Sequence, residues 1–294
     1  MAVSPAVAAA VAERLFLGTR KFPVPRRELE LLAGASPVRL TGADGPIPAW
    51  LWPPHGTPAG PSPADAPAVA LVHGWEGRGS QLGAFVAPLR EAGFPVVTYD
   101  APGHGAAGGR SSNLLAMTRA LEAVAERFGP FAGIVAHSAG SVVATHALSR
   151  GLSVERAVFI APGAGLVDYS RTFARLLGVG EDLRRRVQER VERRLGLPWR
   201  ELEPLELAPA MDTPLLVVSD RKDREAPLAS VEALAGLWPG AALRVTEGLG
   251  HRRILRDPEV VARAVGFIAG ESTDGSAPEP PPPIEPRGPD AERR

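Results

Sequence analysis

The chain has 294 residues, 45% hydrophobic and 22% charged, with 33 basic and 33 acidic side chains and no Cys. That composition excludes disorder along most of the length, disulfides, thiol catalysis and cysteine-ligated metal centres. The balanced charge offers no basic excess for nucleic acid, and no run of about 18 apolar residues predicts a transmembrane helix.

The N-terminus, Met1 to Ala12, is apolar and Ala-rich. It has no basic start, and Glu13 and Arg14 follow at once, so no signal peptide is expected and the expected location is the cytoplasm. Pro5 to Gly18 predicts a helix, with Ser4 at the N-cap and Pro5 at the first helical position. Arg26 to Ala33 predicts a second, so residues 1–36 form an N-terminal helical segment. Pro37 to Thr41 and Ile47 to Trp52 read as an antiparallel pair around a turn at Gly42 to Gly45. Pro53 to Pro67, rich in Pro, Gly and Ala, is a loop.

Six short apolar runs follow, at Val69–Val72, Pro95–Tyr99, Gly133–Ala136, Ala157–Ile160, Leu215–Val218 and Leu243–Thr246. Helical stretches alternate with them at Gln81–Ala92, Ser112–Phe128, Ala139–Arg150, Pro227–Trp238 and Pro258–Ala269. Continuously apolar strands joined by helices signal a parallel sheet buried on both faces. The expected fold is α/β: an open, mostly parallel twisted sheet of about eight strands, with an N-terminal antiparallel pair and helices on both faces. About fifty residues separate the runs at Ala157 and Leu215, where a simple crossover needs about 2–6 besides its helix. Residues 163–209, with helices at Ser170–Leu177 and Asp182–Leu195, are therefore read as a small helical cap inserted after the sixth strand. The core is 37–162 and 210–270. Residues 271–294, with Pro280 to Pro283 and almost nothing apolar, are expected to be a disordered tail.

Three signals carry chemistry. Ala136-His137-Ser138-Ala139-Gly140 joins a strand to a helix, the context of a G-x-S-x-G nucleophile elbow. Small residues two positions either side of the Ser let strand and helix approach. Alone, the pentapeptide reads equally as a Ser capping a helix. His73-Gly74-Trp75-Glu76-Gly77 follows the first parallel strand. Acyl transfer needs two donors aimed at the developing oxyanion. The Ala139 amide is one candidate and the Trp75 amide the other. His251, in Glu247-Gly248-Leu249-Gly250-His251, lies after the last strand and is the only His beyond residue 146. Between them, Asp220 and Asp223 follow the strand at Leu215 as candidate acids. The order Ser, Asp, His is that of α/β-hydrolases.

With these residues the sequence resembles the α/β-hydrolase superfamily from about Val38 to Ala269. The stretches Tyr99-Asp100-Ala101-Pro102-Gly103-His104-Gly105 and Asp223-Arg224-Glu225-Ala226-Pro227 add to the likeness. It departs at Ala136, where Gly is usual, and at Ala226, where Val is usual. The resemblance implies a serine hydrolase acting on an ester or thioester. Ser138 is the nucleophile and His251 the base. The orienting acid is Asp223, four residues before the Pro that opens the next helix, with Asp220 as the alternative. Phe173, Leu176, Leu177 and Trp199 in the cap are candidate acyl contacts. The partner implied is a small-molecule acyl substrate, with no cofactor, metal, nucleic acid or membrane. Rival chemistries on the same triad are acyl transfer, peptide cleavage and perhydrolysis. A different class altogether is a catalytically silent binding protein of the same fold.

Two other patterns carry less. Gly103-His104-Gly105-Ala106-Ala107-Gly108 matches G-x-G-x-x-G but opens no helix, and no acid ends the next strand, so no dinucleotide site is expected. Arg184, Arg185, Arg186, Arg190, Arg193 and Arg194 are interspersed with acids and read as a solvated face rather than an anion site.

The tail has too little apolar surface to offset the entropy of ordering it. Deleting residues 271–294 is expected to leave melting temperature and turnover unchanged, and a large loss of either would show that the tail packs on the body.

Overall fold

The computed structural model describes residues 4–56 and 66–271. The expected tail, apart from Glu271, and the middle of the 53–67 loop lie outside the described residues.

One eight-stranded sheet organises the chain. Its strands are β1 (Ser36–Gly42), β2 (Gly45–Trp52), β3 (Ala68–Val72), β4 (Val96–Tyr99), β5 (Phe131–His137), β6 (Val154–Ile160), β7 (Leu215–Asp220) and β8 (Ala242–Thr246). Their spatial order is β1-β2-β4-β3-β5-β6-β7-β8. The β1–β2 and β2–β4 pairs are antiparallel and all others parallel. Burial follows position. Every residue of β3, β4, β5 and β7 is buried, whereas exposure alternates along the edge strand β1.

The helices are α1 (Pro5–Phe16), α2 (Arg26–Ala33), α3 (Val86–Glu91), α4 (Leu114–Phe128), α5 (Ala139–Ser149), α6 (Leu166–Leu177), α7 (Glu181–Leu195), α8 (Pro204–Leu207), α9 (Leu228–Leu237), α10 (Gly250–Arg253) and α11 (Pro258–Ile268). α3 and α11 pack together against the sheet, and α4 packs beside α5. Among the described residues no helix is long and apolar enough to cross a membrane.

Local chemistry moved several boundaries. The helix expected at Gln81–Ala92 is instead a 3₁₀ segment, Gly79–Phe85, kinked at Leu82 and followed by the short α3. Gly79 and Gly83, both within this 3₁₀ segment, weaken helical propagation there. Ser4 precedes α1 but makes no side-chain cap bond. Asn113, rather than Ser112, caps α4, its side chain accepting from the Ala116 amide at 2.8 Å.

The cap, α6 to α8, leaves the sheet after β6 and returns at β7. The N-terminal segment is docked onto it. Glu13 of α1, almost fully buried, accepts from Arg190 at 2.6 Å and Arg194 at 2.7 Å of α7. Phe16 stacks on Trp199 at 5.5 Å and meets Phe173 edge-on at 5.3 Å. Part of the arginine run on α7 is thus an internal seam. Arg184 and Arg185 pair with Glu181 and Asp182 on the same helix.

The strand order reverses around β3. After β3 the chain moves outward to β4, then returns to place β5 on the other side. Open α/β sheets bind ligands outside the carboxyl ends of strands at such a switch point. The loop after β3 and the turn after β5 meet there, since Val72 pairs with Ala136.

A side chain at Gly140 would meet the Val72 carbonyl oxygen at 2.5 Å and that of His73 at 2.7 Å. Gly140→Ala is expected to lower the unfolding free energy by about 1–3 kcal/mol in urea titration, as overpacking does. Gly236→Ala, on α9 with nothing within 4 Å, is expected to leave it unchanged or raised. Equal midpoints for the two variants would contradict the close approach of α5 to β3.

Candidate active site

Ser138 sits at the end of β5 with φ 53° and ψ −126°. A non-Gly residue in that region carries strain of about 1–3 kcal/mol, and the surroundings must over-determine it. They do. The Ser138 amide donates to Ile160 O at 3.1 Å. The Ser138 carbonyl accepts from the Gly163 amide at 3.0 Å and the Ser141 hydroxyl at 2.7 Å. Gly74 and Gly163 crowd the turn from the loops after β3 and β6. A Cβ on Gly74 would lie 2.9 Å from Ser138 Cβ, and one on Gly163 would lie 3.3 Å from the Ala139 nitrogen. Among the described residues, neither the Trp75 nor the Ala139 amide donates to a protein acceptor. Both residues line the same cavity as Ser138.

The loops after β7 and β8 bring in the acid and the imidazole. His251 Nδ1 lies 2.8 Å from Asp223 Oδ2, so Nδ1–H donates and Nε2 is left as the acceptor. Asp223 Oδ1 takes the Glu225 and Ala226 amides at 2.7 and 3.0 Å. Burial works to raise the Asp223 carboxyl, but the His251 hydrogen bond and these amides outweigh it, and its pKa is lowered. Asp220 is spent elsewhere. Fully buried, it accepts from the Lys222 amide, the Thr246 hydroxyl and the Leu249 amide at 3.0, 2.8 and 2.8 Å. It therefore ties the β7 end to the loop that carries His251, while Asp223 faces the ring.

Three buried histidines brace the site. His137 Nε2–H donates to the His251 carbonyl at 2.9 Å, with the rings 4.7 Å apart. His73 Nδ1–H donates to Gly74 O at 2.8 Å, and its Nε2 accepts the Ala101 amide at 3.0 Å. His104 Nδ1–H donates to Pro102 O at 3.0 Å. Burial pushes His73 down to about 4 and His104 and His137 down to about 3, so all three are neutral. Asp100 accepts the Gly79 and Ala106 amides at 2.8 and 2.7 Å, anchoring the other end of the β3 loop. The place of His137 next to Ser138 in the sequence is the signal that points to this positioning role.

The sequence profile of the alpha/beta hydrolase family matches residues 69–264, two thirds of the chain. The chain belongs to this family. A search of curated proteins gave no match. Among solved structures, a putative lipase from Acinetobacter baumannii superposes with a TM-score of 0.62 at 15% identity, covering 92% of this chain and 97% of that one. An esterase from Pyrococcus furiosus gives 0.62 at 17% identity, covering 86% and 99%. A bromoperoxidase from Bacillus anthracis gives 0.59 at 18% identity, covering 80% and 100%. At such identities the likeness is one of fold.

The cavity of this alpha/beta hydrolase encloses about 1330 Å³ and is lined by Ser138, His251, Trp75 and Ala139 together with the cap. Of the four cap residues expected to contact an acyl chain, Leu176 lines it and is 81% exposed. Phe173 and Trp199 pack on Phe16, and it is Phe16 that lines the cavity; Leu177 is not among its lining residues. For Phe173 and Trp199 the reason is the docking of α1, whose Phe16 packs on both rings. Its continuation supplies Leu17, Arg20, Phe22 and Pro25 to the same wall. Arg20 is held there by a two-pronged pair with Glu76, at 2.9 Å.

Asp223→Asn is expected to lower kcat by on the order of 10⁴, the scale for neutralising an acid that orients an imidazole. Asp220→Asn should cost far less in kcat. It should instead cost stability, since its amide would set an N–H against a backbone or hydroxyl donor. Steady-state kinetics and melting curves of the two variants check this, and the reverse ranking would give the orienting role to Asp220.

Proposed function

We propose that this alpha/beta hydrolase is a serine hydrolase that cleaves a carboxylic ester or thioester through an acyl-enzyme on Ser138. The observation that carries the proposal is the 2.8 Å Asp223–His251 hydrogen bond, made by a ring that shares one cavity with the strained Ser138 turn. A serine held in a costly conformation beside an oriented imidazole is hard to explain as packing.

The chemistry follows from these groups. Ser138 Oγ attacks the carbonyl carbon while His251 Nε2 takes its proton. The Asp223 carboxylate holds Nδ1–H and stabilises the imidazolium. Negative charge on the former carbonyl oxygen is met by the free Trp75 and Ala139 amides. Collapse expels the alcohol or thiol, which takes the proton from His251, and leaves the acyl group on Ser138. Water, deprotonated by His251, then attacks the acyl-enzyme. The acid leaves and Ser138 regains its proton. Nothing in these steps calls for a cofactor. Perhydrolysis is the second reading, favoured by the bromoperoxidase among the solved neighbours. It differs only in hydrogen peroxide replacing water in the second half.

Treatment with a fluorophosphonate is expected to add one covalent adduct per chain, on Ser138, read by intact-mass spectrometry. Ser138→Ala should abolish labelling and lower ester hydrolysis by roughly 10⁶, since triad members act as a unit. It should leave the melting temperature nearly unchanged. Labelling on another serine, or hydrolysis surviving in the variant, would overturn the assignment. A folded protein that neither labels nor turns over any ester or thioester would favour a silent binding role.

A further inference from the structure

The chain as a whole is neutral, but the cavity wall is not. Among the described residues it is lined by eight arginines and five carboxylates. Four of those carboxylates are each taken by a lining arginine: Glu28 by Arg78, Glu76 by Arg20, Asp168 by Arg171 and Glu181 by Arg184. The fifth, Glu225, stands 3.8 Å from His251 Nε2. Among the described residues, Arg175, Arg224, Arg252 and Arg256 form no ion pair with a carboxylate, and all four are exposed at the cavity wall.

Three of the four belong to the segments that carry the acid and the base. Arg224 follows Asp223. Arg252 follows His251, and Arg256 comes four residues later in the same helical segment, α10 and the 3₁₀ turn Ile254–Arg256. A spacing of four puts both side chains on one face, and both reach the cavity. Arg256 is in an unfavourable setting. Burial and the neighbouring Arg27 lower its pKa, and Arg78 adds to the repulsion. The acid in its field, Glu28, is already held by Arg78 at 2.7 and 3.1 Å and by the Ser80 hydroxyl at 2.7 Å. A bound anion would relieve that repulsion.

We propose that Arg252 and Arg256, with Arg224 beside them, form an anion-binding subsite that selects acyl substrates carrying an oxyanion remote from the scissile bond. Arg256 follows His251 by five residues, a rise of about 7–10 Å along the helical segment. The charge would therefore sit several bonds from the reacting carbonyl, as in a dicarboxylate half-ester or an ester with a terminal phosphoryl group. This rests on the serine hydrolase reading for the identity of the reacting bond. It goes beyond that reading in naming the substrate's charge.

The test compares p-nitrophenyl pentanoate with two anionic counterparts, the p-nitrophenyl half-ester of glutarate and p-nitrophenyl 4-phosphonobutanoate. The wild-type protein is expected to prefer at least one anionic ester by about tenfold in kcat/KM, through KM. That preference should shrink as salt rises from about 0.05 to about 0.5 M, because screening weakens exposed charge pairs. Which anion is preferred separates a carboxylate from a phosphoryl ligand. The Arg252→Gln/Arg256→Gln protein is expected to lose the preference, whereas Arg39→Gln/Arg263→Gln, with the same loss of charge elsewhere, should keep it.

A second measurement does not need turnover. Calorimetric titration of Ser138→Ala with monoethyl glutarate, ethyl 4-phosphonobutanoate and ethyl pentanoate should show tighter binding of an anionic ester, lost when Arg252 and Arg256 are also replaced. Hydrolysis of the neutral ester with no anion preference in either assay would overturn the subsite and leave the hydrolase reading standing. Anion-selective binding by a protein that hydrolyses none of the esters would overturn the hydrolase reading and leave the subsite standing.

Discussion

Everything in the site depends on one close approach, that of β5 to α5 through the turn at Ser138. The turn demands a left-handed φ from a residue that has a Cβ, and it demands room. Room comes from glycines on the loops after β3 and β6, at 74 and 163, and in the first turn of α5, at 140, where a side chain would meet backbone within 2.5–3.3 Å. Rigidity comes from hydrogen bonds that the Ser138 backbone makes to Ile160 and Gly163, beyond β5. The strain is thus held by the neighbouring strand β6 and the chain just after it. This is why Ser138 can both line the cavity and be fixed.

A second constraint is the neutrality of the buried histidines. Desolvation disfavours the imidazolium, so His73, His104 and His137 stay neutral, with Nδ1–H or Nε2–H free to donate to one carbonyl each. Each ring therefore acts as a rigid spacer with one donor. His73 joins the β3 loop to the β4 loop, and His137 joins the end of β5 to the backbone of His251. His251 is thereby held at two points. Asp223 sets its ring and His137 sets its carbonyl.

The cavity itself is a product of long-range docking. The buried Glu13 is offset by two arginines from α7, and Phe16 fills the gap between Tyr169, Phe173 and Trp199. Breaking such a buried pair by removing one partner leaves an uncompensated charge, which makes the docking specific in register. The N-terminal segment, far from Ser138, Asp223 and His251 in sequence, thus becomes part of the pocket lining. The segments bearing Asp223 and His251 add Arg224, Arg252 and Arg256 to the lining, and among the described residues none of the three forms an ion pair with a carboxylate.

Much of this was legible in the order of residues. The fully apolar runs at β3 to β7 fixed a parallel sheet, because only a sheet covered on both faces tolerates strands without alternation. The elbow, the Trp75 loop and the Ser–Asp–His order were readable, because the chemistry requires particular residue types at the ends of particular strands. Asp220 and Asp223 could be separated only by the family resemblance. In space the two differ plainly, since hydrogen bonds to the β8 loop occupy Asp220 and leave Asp223 for the ring. Sequence also named Phe173 and Trp199 as pocket residues, being large and apolar in the cap. Only the tertiary structure could put Phe16 in front of them, and pair Arg190 and Arg194 with Glu13. Local pattern reports which side chains must leave water. It does not report which distant surface they leave it against, because that depends on shape and charge matching between segments that the chain itself keeps far apart.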